Sequence, residues 1–293
     1  MKPRTTARVS NPIAALVLAL PLVLAGCTTS TTQVSPTPSA AVESDHVHGI
    51  SVDPASSRIL LATHDGLYDA TTKTAAKISD TTIDLMGFTA TAEPDVLFAS
   101  GHPGPGSSLP NPVGLIQSTD AGKTWQEISR GGESDFHALT VSGNSLVAFD
   151  GQLRTSSDGK SWTTSATSFT PTVLAGSPAS TVVLATTQDG LQRSTDSGRT
   201  WQLVPKGPTI QFVAIATPTE KAPTEAVGIT TDGNVFLSTD TGLTWAATGN
   251  ISGQVEAVTA VENSSGKPSI WVSTTTGVQI STDGGATFRP ASS

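Results

Sequence analysis

Ser118-Thr119-Asp120-Ala121-Gly122-Lys123-Thr124-Trp125 is the stretch that decides the fold, because the chain repeats it. It returns as Ser194-Thr-Asp196-Ser-Gly198-Arg-Thr200-Trp201 and as Ser238-Thr-Asp240-Thr-Gly242-Leu-Thr244-Trp245. A fourth copy, Ser281-Thr-Asp283-Gly-Gly285-Ala-Thr287-Phe288, exchanges Trp for Phe, and a fifth, Ser156-Ser-Asp158-Gly159-Lys-Ser161-Trp162, is one residue shorter. The serine-to-serine steps are 38, 38, 44 and 43 residues. A fixed period of this size marks a repeat architecture. The chemistry is that of a turn between strands. Aspartate can accept from backbone N–H groups two residues on, glycine supplies a positive φ, and the aromatic gives a short strand something to bury.

Outward from these turns the chain reads as short strands. In the third unit the runs are 137–141, 145–149, 152–155 and 162–164, each rich in β-branched residues and bounded by Gly, Asn or Asp. Four-stranded units of about 40 residues are the blades of a β-propeller. Aligning the first strands places His48, Met86, His137, Thr172, Gln211 and Glu256 at matching positions, which predicts six blades over residues 46–293. A seven-bladed ring is the alternative, but no stretch is left to supply a seventh. The longest step holds an insertion, Gly101–Pro112, expected to be a rigid loop shaping the channel mouth. The repeated turns resemble the Asp-box, or BNR repeat, of sialidases, sortilin-type receptors and the photosystem II assembly propellers. That resemblance implies an all-β Asp-box propeller in which Asp120, Asp158, Asp196, Asp240 and Asp283 are structural.

Composition excludes other classes. The chain has 293 residues, 27 Gly, 19 Pro, 14% charged residues and one Cys. So much Gly and Pro with so few charges argues against a helical bundle. One cysteine forms no internal disulfide and no multi-cysteine zinc module. Sixteen Lys+Arg against 24 Asp+Glu exclude a nucleic-acid partner.

Residues 1–26 read as a targeting segment: a basic start (Lys2, Arg4, Arg8) followed by an apolar run from Ile13 to Ala25. The run ends in Leu24-Ala25-Gly26-Cys27, which resembles a bacterial lipobox. This implies a lipoprotein whose signal peptide is cut before Cys27 and whose Cys27 is lipidated. Residues 27–45 then form the lipidated cysteine and a flexible Thr/Ser/Pro tether. The expected place is the cell envelope, membrane-anchored by the lipid on the extracytoplasmic side. Losing residues 1–26 removes three cations and no anion, which moves the net charge from −8 to −11.

All five histidines, His46, His48, His64, His102 and His137, lie within residues 46–137. In an antiparallel meander the start of strand one and the end of strand two lie at one end of the sheet. His46, His48 and His137 start first strands, and His64 and His102 follow second strands. All five therefore map to one face, opposite the repeated turns. Met86 and Glu256 sit at the same level. Imidazole suits zinc or copper, and a thioether beside it favours copper, so His46, His48, His64, Met86, His102, His137 and Glu256 are the candidate metal ligands. His48, Met86, His137 and Glu256 are expected to converge on a common point. Asp84 and Asp135 are placed to orient the imidazoles, with Asp65 near them in sequence. The leading expectation is a binding protein that holds a transition metal, or a small ligand, at this face. The alternatives are an enzyme and a scaffold for an envelope protein.

The segments HVHG (46–49), DLMGF (84–88), SGHPGPG (100–106) and DFHAL (135–139) are similar to bacterial exported Asp-box propellers loosely labelled as glycosyl hydrolases. A sialidase would need an arginine triad, a tyrosine nucleophile and an aspartate acid/base. The single tyrosine, Tyr68, lies in a strand of the turn-less first blade, and no arginine starts a first strand. Another glycosidase would need two carboxyl groups about 5–9 Å apart, for which Asp84, Asp135, Glu256 and Asp150 are the candidates. No serine elbow, Walker loop or dinucleotide fingerprint is present.

Overall fold

A computed structural model describes residues 46–79, 81–218, 224–263 and 265–292. Residues 1–45 lie outside the described residues, and with them the signal segment, Cys27 and the tether. The described residues form 24 strands in six four-stranded antiparallel sheets, with no helix among them. Blade 1 is β1 (Val47–Val52), β2 (Ile59–Thr63), β3 (Gly66–Asp69) and β4 (Ala76–Lys77). Blade 2 is β5 (Ile83–Ala90), β6 (Leu97–Pro103), β7 (Leu115–Ser118) and β8 (Gln126–Ser129). Blade 3 is β9 (Ala138–Ser142), β10 (Ser145–Phe149), β11 (Leu153–Ser156) and β12 (Thr163–Thr164). Blade 4 is β13 (Pro171–Ala175), β14 (Val183–Thr187), β15 (Gly190–Ser194) and β16 (Gln202–Leu203). Blade 5 is β17 (Phe212–Ile215), β18 (Ala226–Ile229), β19 (Asn234–Ser238) and β20 (Ala246–Asn250). Blade 6 is β21 (Val255–Val261), β22 (Ser269–Thr274), β23 (Gly277–Ser281) and β24 (Arg289–Pro290).

The first strands touch one another in a closed cycle, β1–β5–β9–β13–β17–β21 and back to β1. This is the six-bladed propeller that the repeat spacing predicts. Among the described residues each blade is one continuous segment, and no strand crosses from one blade to complete another. The core follows from the pattern of burial. Second strands such as β2 and β18 are buried along their whole length, because both faces of each sheet meet a neighbouring sheet. Six hydrophobic clusters result, one at each seam between blades. Trp271 sits in the cluster between blades 6 and 1. Outer strands are short, and β4, β12, β16 and β24 have only two residues each. Short edges of this kind blunt edge-to-edge pairing.

The repeated turn joins the third and fourth strands. In blade 2, Ser118 Oγ donates to Asp120 Oδ1 (2.8 Å) and accepts from Gly122 N–H (2.8 Å). Asp120 also accepts from Thr124 N–H (2.9 Å) and from Thr124 Oγ1 (2.7 Å). Blades 4, 5 and 6 repeat the same bonds around Asp196, Asp240 and Asp283. The Thr124 hydroxyl and amide hold the Asp120 carboxyl down to about 2. The Ser161 and Lys160 amides do the same for Asp158 in the shorter copy.

The glycine of each turn has a second duty that the sequence does not announce. A Cβ on Gly122 would stand 2.2 Å from Leu67 of blade 1. One on Gly198 would stand 2.8 Å from Val147 of blade 3, on Gly242 2.7 Å from Leu184 of blade 4, and on Gly285 2.6 Å from Val235 of blade 5. The turns therefore seat each blade against the one before it.

Candidate functional site

The site lies where the first strands converge. A cavity of about 180 Å3 opens there, and its wall includes His48, Met86, His137, Thr172, Phe212 and Glu256. One position differs from the alignment. Blade 5 presents Phe212 to the cavity, while Gln211, whose backbone N–H donates to Ile229 O (2.9 Å), lies one residue outside the strand.

Bulges aim these side chains. Pairing in β1, β5, β13 and β21 slips at His48, Met86, Thr172 and Glu256 respectively. A bulge leaves one extra residue unpaired on its strand and redirects its side chain. Two bulged residues precede a glycine. A Cβ on Gly87 would stand 2.2 Å from the Phe136 carbonyl oxygen of the next blade, and one on Gly49 3.1 Å from Phe88. The His-Gly and Met-Gly pairs were the available signal for these bulges. Simple alternation along 46–48 does not hold, since the slip falls between Val47 and Gly49, yet the His46 and His48 rings still meet edge-on at 4.8 Å.

Blades 6, 1 and 2 bring together one group. His48 Nε2 lies 3.2 Å from His64 Nε2, and His64 Nδ1 lies 2.9 Å from Asp84 Oδ1. One ligand atom from each of His48, His64 and Asp84 falls within 4.8 Å of the other two. His46 Nδ1 lies 3.2 Å from Glu256 Oε1, and Ser273 Oγ donates to Glu256 Oε2 (3.3 Å). Asp84 thus joins the imidazoles as a potential ligand, a closer part than the orienting one its position in sequence suggested.

Blades 2 and 3 make a second group. His102 lies inside β6, not after it, and is the register partner of Asp84. Its Nδ1 is 2.9 Å from Asn111 Oδ1 and its Nε2 is 3.0 Å from Asp135 Oδ2. With both ring nitrogens facing acceptors, the protonated form of His102 is favoured. The Asn111 bond, then Asp135 and Asp84, outweigh the opposing desolvation and raise its pKa above 6.5. His137 Nδ1 is 3.3 Å from Asp135 Oδ2, while Asp135 Oδ1 is buried with no hydrogen-bond partner. The histidines thus fall into two groups; His137 lines the shared cavity without entering the His48–His64–Asp84 group, and Met86 lines the same cavity. Asn111 and Ser273 are the polar partners that sequence reasoning missed.

Two further acids have structural partners. Asp150 takes Arg154 Nε on both oxygens (2.9 Å each), accepts from Ser134 Oγ (2.6 Å) and faces Arg130 at 3.6 Å. Burial works to raise its pKa, but the Ser134 and Arg154 bonds prevail and hold it below the usual value. It is therefore no free acid for the mouth. Asp65 accepts from Tyr68 Oη (2.7 Å) and Lys77 Nζ (3.1 Å). The Gly101–Pro112 insertion folds back on blade 2, where Val113 N–H donates to Gly101 O (2.9 Å) and Asn111 reaches His102.

No family model and no curated protein matches the sequence. Solved structures do. The chain is similar to a GH74 enzyme from Niastella koreensis, with TM-score 0.58, 18% identity, and coverage of 84% of this chain and 37% of that one. The GH74 xyloglucanase from Xanthomonas campestris gives 0.58, 14%, 84% and 38%. The extracellular domain of a putative hybrid two-component system from B. thetaiotaomicron gives 0.52, 12%, 87% and 34%. The likeness is one of fold. This chain spans little more than a third of the length of each of these proteins.

Proposed function

We propose that the protein binds a transition metal ion at the mouth of its propeller channel, with His48, His64 and Asp84 as the core ligands. The observation that carries this reading is their mutual approach within 4.8 Å on three separate strands or loops of two blades. Imidazole and carboxylate together suit zinc and copper. The carboxylates Glu256 and Asp135 beside histidines His46 and His137 supply the hydrogen-bonded surround that metal-bound imidazoles use. The repeated turns, which we read as Asp-boxes, act as scaffold. The lipobox-like Cys27 supports a membrane-anchored lipoprotein on the extracytoplasmic side, where the mouth would meet envelope metal or an envelope protein. Elemental analysis and zinc and copper titration of the purified protein test the proposal. Close to one bound equivalent is expected. Less than about a tenth of an equivalent after titration would overturn it.

A glycoside hydrolase-like activity is the second reading. The placement of Asp84, Asp135 and Glu256 around one mouth favours it. It ranks second because each carboxylate already faces an imidazole at 2.9–3.3 Å. Turnover of a glycoside substrate that survives His48→Ala but is lost in Asp135→Asn and Glu256→Gln would reverse the ranking.

A further inference from the structure

The seam between blades 6 and 1 is built differently from the other five. Blades 2 to 6 each press a turn glycine toward a side chain of the preceding blade: Gly122 on Leu67, Gly159 on Leu115, Gly198 on Val147, Gly242 on Leu184 and Gly285 on Val235. Blade 1 has no repeated turn and brings no such glycine to blade 6. Among the described residues no shared strand closes the ring there either. The seam relies on apolar packing, with Val47 and Ile50 against Ala257 and Trp271, and on the contact of His46 with Glu256.

That contact stands beside the metal group. The ring centroids of His46, His48 and His64 are 4.8, 4.3 and 6.1 Å apart, and neighbouring planes cross at 90° and 86°. Two imidazoles on one tetrahedral ion have centroids about 5 Å apart, given a metal–nitrogen bond of about 2.0 Å plus the ring radius. The His46–His48 and His48–His64 separations lie near that value, while His46 stands 6.1 Å from His64 and outside the His48–His64–Asp84 group, so binding has to draw its ring inward. Glu256 faces Nδ1 of His46 and leaves Nε2 for a ligand. A carboxylate on the far nitrogen is the usual support of a metal-bound imidazole.

We propose that His46 is the fourth ligand and Glu256 its positioning residue, so that the ion is held by three imidazoles of blade 1 and by Asp84 of blade 2, and reaches blade 6 through the His46–Glu256 contact. This rests on the metal reading above. Four protein donors close the coordination sphere, as in structural zinc sites, and leave no open position for a reacting water. The ion then fixes the His46 ring against Glu256 and so supports, through that one contact, the seam that lacks a turn glycine.

The test uses the purified protein with cobalt(II) as a spectroscopic probe and zinc as the stabilising ion. Wild type should show the strong visible absorption of four-coordinate cobalt, and His46→Ala should lose most of it. Glu256→Gln should keep the spectrum but weaken zinc binding by about 10–100-fold. Zinc should raise the melting temperature of wild type more than that of His46→Ala. The His46 side chain is half exposed, so its removal leaves the core intact, which near-ultraviolet circular dichroism checks. An unchanged cobalt spectrum and zinc response in His46→Ala would overturn the inference and leave the metal site standing. Loss of the strong absorption in His137→Ala instead would also overturn it, by moving the fourth ligand to blade 3. Absence of any metal binding in wild type would overturn both readings together.

Discussion

Gly198→Ala isolates what holds one blade to the next. Gly198 has φ +80° and lies in the turn of blade 4. A Cβ there would stand 2.8 Å and 3.1 Å from the two methyl carbons of Val147 in blade 3. Val147 is fully buried, and a β-branched side chain has little rotamer freedom with which to withdraw. The backbone term for an L-residue in the left-handed region is about 1–2 kcal/mol. Overpacking of a filled core adds about 1–3 kcal/mol. The sum, about 2–5 kcal/mol, corresponds to a fall of about 4–20 °C in melting temperature for a domain of this size. Gly132→Ala is the control: its φ is +75°, and no atom lies within 4 Å of the added carbon. It should show the backbone term alone. Guanidinium unfolding at constant m-value measures both variants. If Gly198→Ala costs no more than Gly132→Ala, the turn glycines are not seating the blades, and the account of the seams is wrong.

Other outcomes follow from single contacts. Asp120, Asp158, Asp240 and Asp283 have folded pKa values of about 2 against 3.8 for the ordinary side chain, so their stabilisation is complete above pH 3.8 and is lost as pH falls from there toward 2. Thermal melts from pH 5 to pH 2 should show a steep late decline. Asp150→Ala leaves Arg154 and Arg130 without their shared, buried carboxylate and should cost about 2–4 kcal/mol by chemical denaturation. His102 has a raised pKa, so its contribution is present below 6.5 and disappears as pH rises through the folded value. Its imidazole NMR titration should lie above 6.5 in the metal-free protein, and Asn111→Ala should lower it.

Much of the fold was legible because it is periodic. One turn repeated at 38 to 44 residues carries its own local chemistry, so Ser118, Asp120, Gly122 and Thr124 could be read without knowing what lies across space. The common face of the histidines followed from the alternation of strand direction in a meander, which is also local. The grouping within that face was not legible. Whether His64 meets His48 or His102 depends on bulges and on the angle between blades, and neither leaves more than a His-Gly or Met-Gly pair in the sequence. Asp150 looked like a free acid at the mouth because Arg130 and Ser134, which help to engage it, come from the connection before its blade.

The sequence by itself determined the all-β class, the blade count, the turns and the face on which five histidines gather, since each follows from hydrogen bonding and strand geometry within about 40 residues. Tertiary structure alone decided the rest. Closing the ring brings residue 46 to residue 256 and sets which imidazole meets which carboxylate. It also gives the turn glycines a neighbour to press against. Those contacts depend on how six sheets pack around one axis, and no short stretch of chain encodes that.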